Sequence, residues 1–342
     1  MHRRSPDIRV AAVCAALLVG TTACSSLTGS GSGSGSGSSG SETPSNVQMV
    51  VDTGPGGGSD IFAREMIKLL QQDKSISSNW PVLSEPQGGG LGAMAFVKGK
   101  SGKTNFVSAF TSKWVISGLS TANPPATLND LTPIAEVANE TQIVAVPSSS
   151  PYHSMKDFVA AAKQHPGQLV QTGGALTSVD NLVALKIEKD TGTSWKYLSF
   201  ADGGPRITAL LRGDAQMMIG AQSDFQEQVD AGKLRIIGVF SDKRMTAFPN
   251  ASTMTEQGFS LSGLPAQLQF RGIAGPPDMS ASAVAYYVGL FGKMVKTPEW
   301  EKYMDSEGDT TEFVTGSALK QLISTFTTAM TPLMSDLPGG SK

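Results

Sequence analysis

Four strings in this 342-residue chain share one chemistry: glycines and small hydroxyl residues set between an apolar, strand-like run and the start of a helix. The first, Thr53-Gly54-Pro55-Gly56-Gly57-Gly58-Ser59-Asp60, follows Val47, Met49, Val50 and Val51. Behind it Phe62, Met66, Leu69 and Leu70 recur at helical spacing, with Ser59 reading as the N-cap. The second, Ser84-Glu85-Pro86-Gln87-Gly88-Gly89-Gly90-Leu91-Gly92, follows Pro81-Val82-Leu83 and leads into a helix over 93–98. The third, Thr172-Gly173-Gly174-Ala175-Leu176-Thr177-Ser178, precedes a helix that Gly192 ends in the C′ position. The fourth, Ala201-Asp202-Gly203-Gly204-Pro205, follows Tyr197-Leu198-Ser199-Phe200 and opens a helix over 206–212, with Pro205 suited to its first turn. A helix N-terminus exposes unpaired N–H groups and about half a positive charge, and glycine lets a ligand reach the backbone, so each loop suits an anionic oxygen. One such loop is only a tight turn. Two in each half of the chain, in matching order, describe a cleft between two lobes.

Other chemistries find less support. Gly99-Lys100-Ser101 and Gly102-Lys103-Thr104 end like phosphate-binding loops, but the leading glycine would fall on Met94 or Val97. Gly88-x-Gly90-x-x-Ala93 fits a permissive dinucleotide fingerprint, and glycine-rich strings match that pattern often. No Gly-x-Ser-x-Gly elbow occurs. The three histidines, two of them (His153 and His165) beside proline turns, are too few for a histidine-rich metal cluster. With 27 basic against 29 acidic residues there is no electrostatic footprint for nucleic acid.

Upstream, Arg3, Arg4 and Arg9 precede an apolar run, 10–20, that is too short to cross about 30 Å of hydrocarbon. Residues 1–23 read as a signal peptide. Its end, Thr21-Thr22-Ala23-Cys24, resembles a bacterial lipobox with Thr21 in place of an aliphatic residue, which makes Cys24 the expected lipidation site. Residues 24–45 form a Gly/Ser-rich tether that would hold the fold about 25 Å from the anchor on average. Cys14 lies in the signal segment, so the folded part has no cysteine and no disulfide, thiolate nucleophile or Cys-ligated zinc.

Further strings complete a pattern: Ala63-Arg64 after the first loop, Asp130-Leu131-Thr132-Pro133-Ile134-Ala135, Pro166-Gly167, and Leu210-Leu211-Arg212-Gly213-Asp214-Ala215-Gln216. Then come Ala231-Gly232-Lys233-Leu234-Arg235, Thr253-x-x-Glu256-x-Gly258 and Gly272-Ile273-Ala274-Gly275-Pro276-Pro277. In this order the chain resembles the substrate-binding receptors of tripartite tricarboxylate transporters, the TctC or Bug family of extracytoplasmic solute receptors, over nearly all of 47–335.

The resemblance implies an α/β fold of the two-lobed periplasmic-binding-protein type II (Venus-flytrap) class with two crossing hinge strands, here 141–146 and 268–273. Lobe 1 takes 46–139, lobe 2 takes 140–269, and 270–342 returns to lobe 1 with the C-terminal helices. It further implies a receptor and not an enzyme, with no catalytic residue, metal or cofactor. Such a receptor binds a small organic anion, di- or tricarboxylate-like, and delivers it to membrane permease subunits. It would work as a lipid-anchored monomer on the outer face of the cytoplasmic membrane, with no nucleic acid partner.

The expected ligand-binding residues are Gly56, Gly57, Gly58, Ser59, Gly88, Gly89, Gly90, Thr111, Ser112, Lys113, Thr177, Ser178, Asn181, Gly203 and Gly204. Ser178 matches a small polar position of the family, whereas Asn181 falls where His is common and Glu85 where Asn is common. A Lys-Gly-Gly-like stretch is replaced by 201–204, so Lys113 or Arg206 is the candidate replacement cation, and alternation leaves Arg271 facing either way. On this reading Gly57→Val blocks the anion without disturbing the fold, and Lys113 meets a ligand carboxylate. Two other functions stay open: a ligand-sensing co-receptor for a signalling system, and a nucleotide-binding enzyme resting on Gly88-x-Gly90-x-x-Ala93.

Overall fold

The computed structural model describes residues 43–200, 203–265 and 267–334. The signal segment, Cys24, nearly all of the tether, and Ala201 and Asp202 of the fourth loop lie outside them. The chain begins with β1 (Gln48–Val51), α1 (Gly58–Gln72), β2 (Val82–Ser84), α2 (Leu91–Lys98), β3 (Phe106–Thr111), α3 (Ser112–Leu119) and β4 (Thr132–Glu140). It continues with β5 (Ile143–Pro147), α4 (Met155–Gln164), β6 (Val170–Gly173), α5 (Val179–Thr191), β7 (Lys196–Ser199), α6 (Gly203–Arg212), β8 (Met217–Gly220), α7 (Gln222–Asp230) and β9 (Leu234–Val239). The last part is β10 (Gln269–Gly275), α8 (Ala281–Met294), α9 (Pro298–Glu307), β11 (Asp309–Thr315) and α10 (Gly316–Met334).

These strands make two sheets, one of six in the order β11-β4-β10-β3-β1-β2 and one of five in the order β7-β6-β8-β5-β9. This is the expected two-lobed α/β architecture. In the first sheet β1 runs parallel to β2 and β3; in the second β6 runs parallel to β7 and β8. The glycine strings leave the C-terminal ends of four of these, β1, β2, β6 and β7, which is where open α/β sheets receive ligands.

The inner strands β1, β3, β5 and β8 are nearly unbroken apolar runs because helices cover both faces. On one face of the first sheet, Phe62, Met66 and Leu70 of α1 pack with Tyr287 and Phe291 of α8 and Trp300 of α9. On the other, Phe110, Phe270 and Phe326 meet edge to face, with ring centroids 6.1 and 5.0 Å apart. Phe326 belongs to α10, which also touches α3 and α5, so the last helix reaches both lobes. A Cβ on Gly272 of β10 would lie 2.4 Å from Phe110 Cζ and 2.7 Å from the Ala135 carbonyl, so only glycine admits this aromatic packing.

Two local expectations need correction. The first crossing is not one strand over 141–146: β4 stays in the first sheet to Glu140, Thr141 and Gln142 make the link, and β5 begins at Ile143. The N-cap of α1 is Gly57, with Ser59 inside the helix, where its hydroxyl serves a different partner. Gly192 does end α5 in the left-handed conformation, with φ 64°.

Strand β4 also buries Glu136 completely, opposite Gly272 of β10 and Val314 of β11, with neither carboxyl oxygen hydrogen-bonded. Burial, with Glu312 adding, pushes its carboxyl up to about 8. A folded-state value above the unfolded one means that the native protein holds the proton longer. This contribution is therefore complete below the ordinary glutamate range and is lost as pH rises toward 8. We expect the urea midpoint to fall between pH 5.5 and 8.5, and Glu136→Gln to reduce that fall; an unchanged fall in the variant would show that Glu136 does not titrate there.

Candidate functional site

At the end of β1, Asp52 is 2% exposed and is met from two directions. Its Oδ1 accepts from Ser59 Oγ at 2.6 Å, and its Oδ2 lies 2.7 Å from Lys113 Nζ. Asp60 braces the same loop. Its Oδ2 accepts from the Gly56 N–H at 2.9 Å, its own N–H donates to Thr53 Oγ1 at 3.1 Å, and Arg64 clasps the carboxylate at 2.9 and 3.0 Å. The Arg64 hydrogen bond, helped by Gly56, holds Asp60 below the ordinary carboxylate range against its burial. Gly56 needs its positive φ of 80° to turn its N–H inward.

The second loop places Gly88, Gly89 and Gly90 in succession at φ 62°, 62° and 110°. A Cβ on Gly90 would lie 2.6 Å from Trp114 Cδ1, and one on Gly89 2.9 Å from Ser117 Oγ, which donates to the Gly89 carbonyl at 2.8 Å. These glycines therefore serve both backbone geometry and the close seat of the loop on α3. Thr111 caps α3, and Ser112, fully buried, donates to Gln269 Oε1 at 2.7 Å.

In the second lobe the loops lock onto Asp180, which is 6% exposed. Its Oδ2 accepts from the Gly174 N–H at 3.0 Å and from Tyr197 Oη at 2.7 Å. Burial, with Asp180 adding, pushes the Tyr197 phenol far up, so it stays a donor. Ser178 Oγ donates to the Ala175 carbonyl at 2.6 Å and lies 3.3 Å from Tyr197 Oη; Asn181 Nδ2 donates to the Leu176 carbonyl at 2.6 Å; Thr177 is half-buried. Gly203 and Gly204 open α6, Gly204 exposed, with Arg206 in the first turn. At the start of α7, Asp224 Oδ2 accepts from the Ala221 N–H at 3.0 Å. Burial first, then Glu140, raise its carboxyl above the ordinary range, with Arg206 opposing and Asp180 adding.

Arg271, which alternation left undecided, has its guanidinium at the crossing, paired with Glu140 and 5.1 Å from the Phe62 ring centroid. Asp309 lies 3.9 Å from its Nε, and burial, with Glu140 adding and Arg271 opposing, pushes that carboxyl up to about 8. Two hollows of about 300 Å³ lie away from the glycine loops. One is lined by residues of α10 and by Pro265 and Gln267, the other by residues of 43–46 and 102–105.

The geometry thus gathers the expected glycines at the strand ends of their two lobes and revises two roles. Lys113 is engaged by Asp52 instead of standing ready for a ligand carboxylate. A Cβ on Gly57 would meet Thr53 Cβ at 2.6 Å, so Gly57→Val disturbs the loop itself, whereas Gly58 faces open space. The acids Asp52, Asp180 and Asp224 and the phenol of Tyr197 escaped the sequence reading. Their signal was an acid just past a strand or in a helix's first turn.

A family model, the tripartite tricarboxylate transporter family receptor, matches residues 108–330. Protein BugT of Bordetella pertussis is 27% identical over 218 residues, which is 62% of this chain and 66% of BugT, just under two thirds of its length. A TctC solute binding protein from Polaromonas superposes with a TM-score of 0.69 at 22% identity, covering 85% of this chain and 98% of that one. The Rhodopseudomonas palustris protein Rpa4515, solved with adipate, gives 0.73 at 17% identity, covering 85% and 96%.

The Asp52–Lys113 pair yields a stability test. Lys113→Met strands a buried carboxylate and should cost about 1–3 kcal/mol, less than a fully buried pair because the lysine side chain is 32% exposed. Adding Asp52→Asn should recover more than half of that loss in urea unfolding. Simple additivity of the two changes would mean that the pair is not coupled.

Proposed function

We propose that this chain, which belongs to the tripartite tricarboxylate transporter family of receptors, captures a small organic acid between its lobes outside the cytoplasm and passes it to a membrane permease. The observation that carries this reading is the set of glycine loops at the C-terminal ends of parallel strands in both sheets. Backbone N–H groups and small hydroxyls there can bind a carboxylate without a dedicated charge, and closure about the two crossings would remove it from water. That Rpa4515 was solved with adipate agrees with a carboxylate ligand. No helix among the described residues is long and apolar enough to cross a membrane. In this reading Cys24 carries the lipid and the Gly/Ser tether lets the receptor swing over its permease.

Thermal unfolding of the full chain against organic acids, amino acids, aromatic acids and nicotinamide nucleotides tests the reading. An acid at 100 times its dissociation constant should add about 2.7 kcal/mol, a shift of several degrees; silence from every acid, or a response to nucleotides alone, would overturn it. Gly58→Val, placed in open space, should weaken binding at least about tenfold while leaving the unliganded midpoint nearly unchanged. Cys24→Ser should move the protein from the membrane to the soluble fraction; retention in the membrane would remove lipidation from the account.

A further inference from the structure

Beside the crossings the two lobes touch at a close contact. Gly308 ends α9 of the first lobe in the left-handed conformation, φ 73°, and Gln222, 7% exposed, is the first residue of α7 in the second lobe. A Cβ on Gly308 would lie 2.2 Å from Gln222 Oε1, 2.5 Å from its Cδ and 2.6 Å from its Cβ. The amide end can swing aside, but Gln222 Cβ is fixed to the backbone of α7, so only a residue without a side chain lets the helix come this near. Burial and then Glu140, the last residue of β4, raise the Asp224 carboxyl of α7, a second sign of how near the lobes stand here. On the opposite face of the first sheet α10 reaches α5, so contacts between the lobes lie on both sides of the crossing strands.

Topology puts this seat where the lobes face each other. β8 runs parallel to β6, so α7 starts at the same edge of the second sheet as the third glycine loop. Asp309, directly after Gly308, pairs with Glu140 where β4 ends, and Arg271 of β10 stands opposite Thr111 at the end of β3. Because β3 is parallel to β1, that is the edge from which the first glycine loop leaves. We propose that Gly308 and Gln222 form the bearing on which the lobes close: the absent side chain at 308 lets α7 roll onto the end of α9, and any side chain there props the lobes apart. The proposal rests on the receptor reading and adds to it two positioning residues. A Cβ needs about 3.5 Å to its neighbours, so the seat must widen by about 1 Å, and rotation about the crossings enlarges that gap toward the loops. A receptor held open binds more weakly by the factor through which its closed fraction falls.

Spin labels at Ile61→Cys and Leu176→Cys, exposed beside the first loop and on the third, read the opening; Cys14→Ser and Cys24→Ser remove the chain's own two cysteines. Asparagine tolerates a left-handed backbone, so Gly308→Asn keeps the end of α9 and should lengthen the distance between the labels by at least about 2 Å. In the unlabelled full chain it should weaken binding of adipate, or of the tightest acid in the thermal panel, at least about fivefold. Adding Gln222→Gly, which clears the seat, should restore both at least halfway. An unchanged distance or an unchanged affinity in the folded Gly308→Asn chain overturns the bearing. So does a double variant as open as the single one, which would trace the change to strain at the helix end. If Gly308→Asn does not fold, Gln222→Gly alone decides: with the seat gone the distance distribution should broaden, and an unaltered one overturns the proposal. Binding of no acid by the unmodified chain overturns the receptor reading instead, while the label distances still decide the bearing.

Discussion

Arg271 and Glu140 pair at the place where the chain leaves the first sheet and comes back to it. Glu140 is the last residue of β4, and Arg271 lies near the start of β10, the neighbouring strand. Gln142, in the link between the sheets, donates to the other oxygen of Glu140 at 2.8 Å, so the pair also holds the first crossing. Stranding either partner of a buried pair costs about 3–5 kcal/mol, far more than the pair adds over a well-packed apolar substitute. Its worth is geometric. Burial, with Glu140 adding, pushes the Asp309 carboxyl beside the pair up to about 8, which lessens the negative charge set against Arg271.

The loops depend on this frame because they hang from strands whose relative positions it sets. The first and third loops, and the turn after β8, are stabilised internally by an acid. Asp60 ties the first loop to α1, Asp180 ties the third to α5, and Asp224 closes the turn between β8 and α7. This is ordinary helix N-terminal chemistry, a negative side chain satisfying amides that the helix leaves open. It changes what the loops can offer, because an amide holding an aspartate is not available to a ligand carboxylate. The loop over 88–90 differs: left-handed backbone, not an acid, sets its shape, and it sits on Trp114 and Ser117.

Much of this was readable from residue order. Apolar runs followed by glycine and then helical spacing marked β1 and α1, β2 and α2, β6 and α5, and β7 and α6. The positive φ needed at Gly192 marked the end of α5. These are local properties, fixed by periodicity and by which residues tolerate a left-handed backbone. The paired order of the glycine loops pointed to two lobes for the same reason. The break of the first crossing at Thr141-Gln142 was not readable, since no glycine or proline marks it and only the partners of β4 and β5 separate them.

By itself, then, the sequence determined four strand–loop–helix units, their order, the glycine loops at strand ends and the family pattern. Tertiary structure alone decided which charges meet. Lys113 lies in a helix after β3 and Asp52 after β1; nothing local says that adjacent parallel strands bring them to 2.7 Å. Asp180 and Tyr197 meet only because β6 pairs with β7, and Arg271 finds Glu140 only because β10 runs antiparallel to β4. Backbone preference acts over a few residues along the chain, whereas electrostatic partnership acts through space and is set by the sheet order.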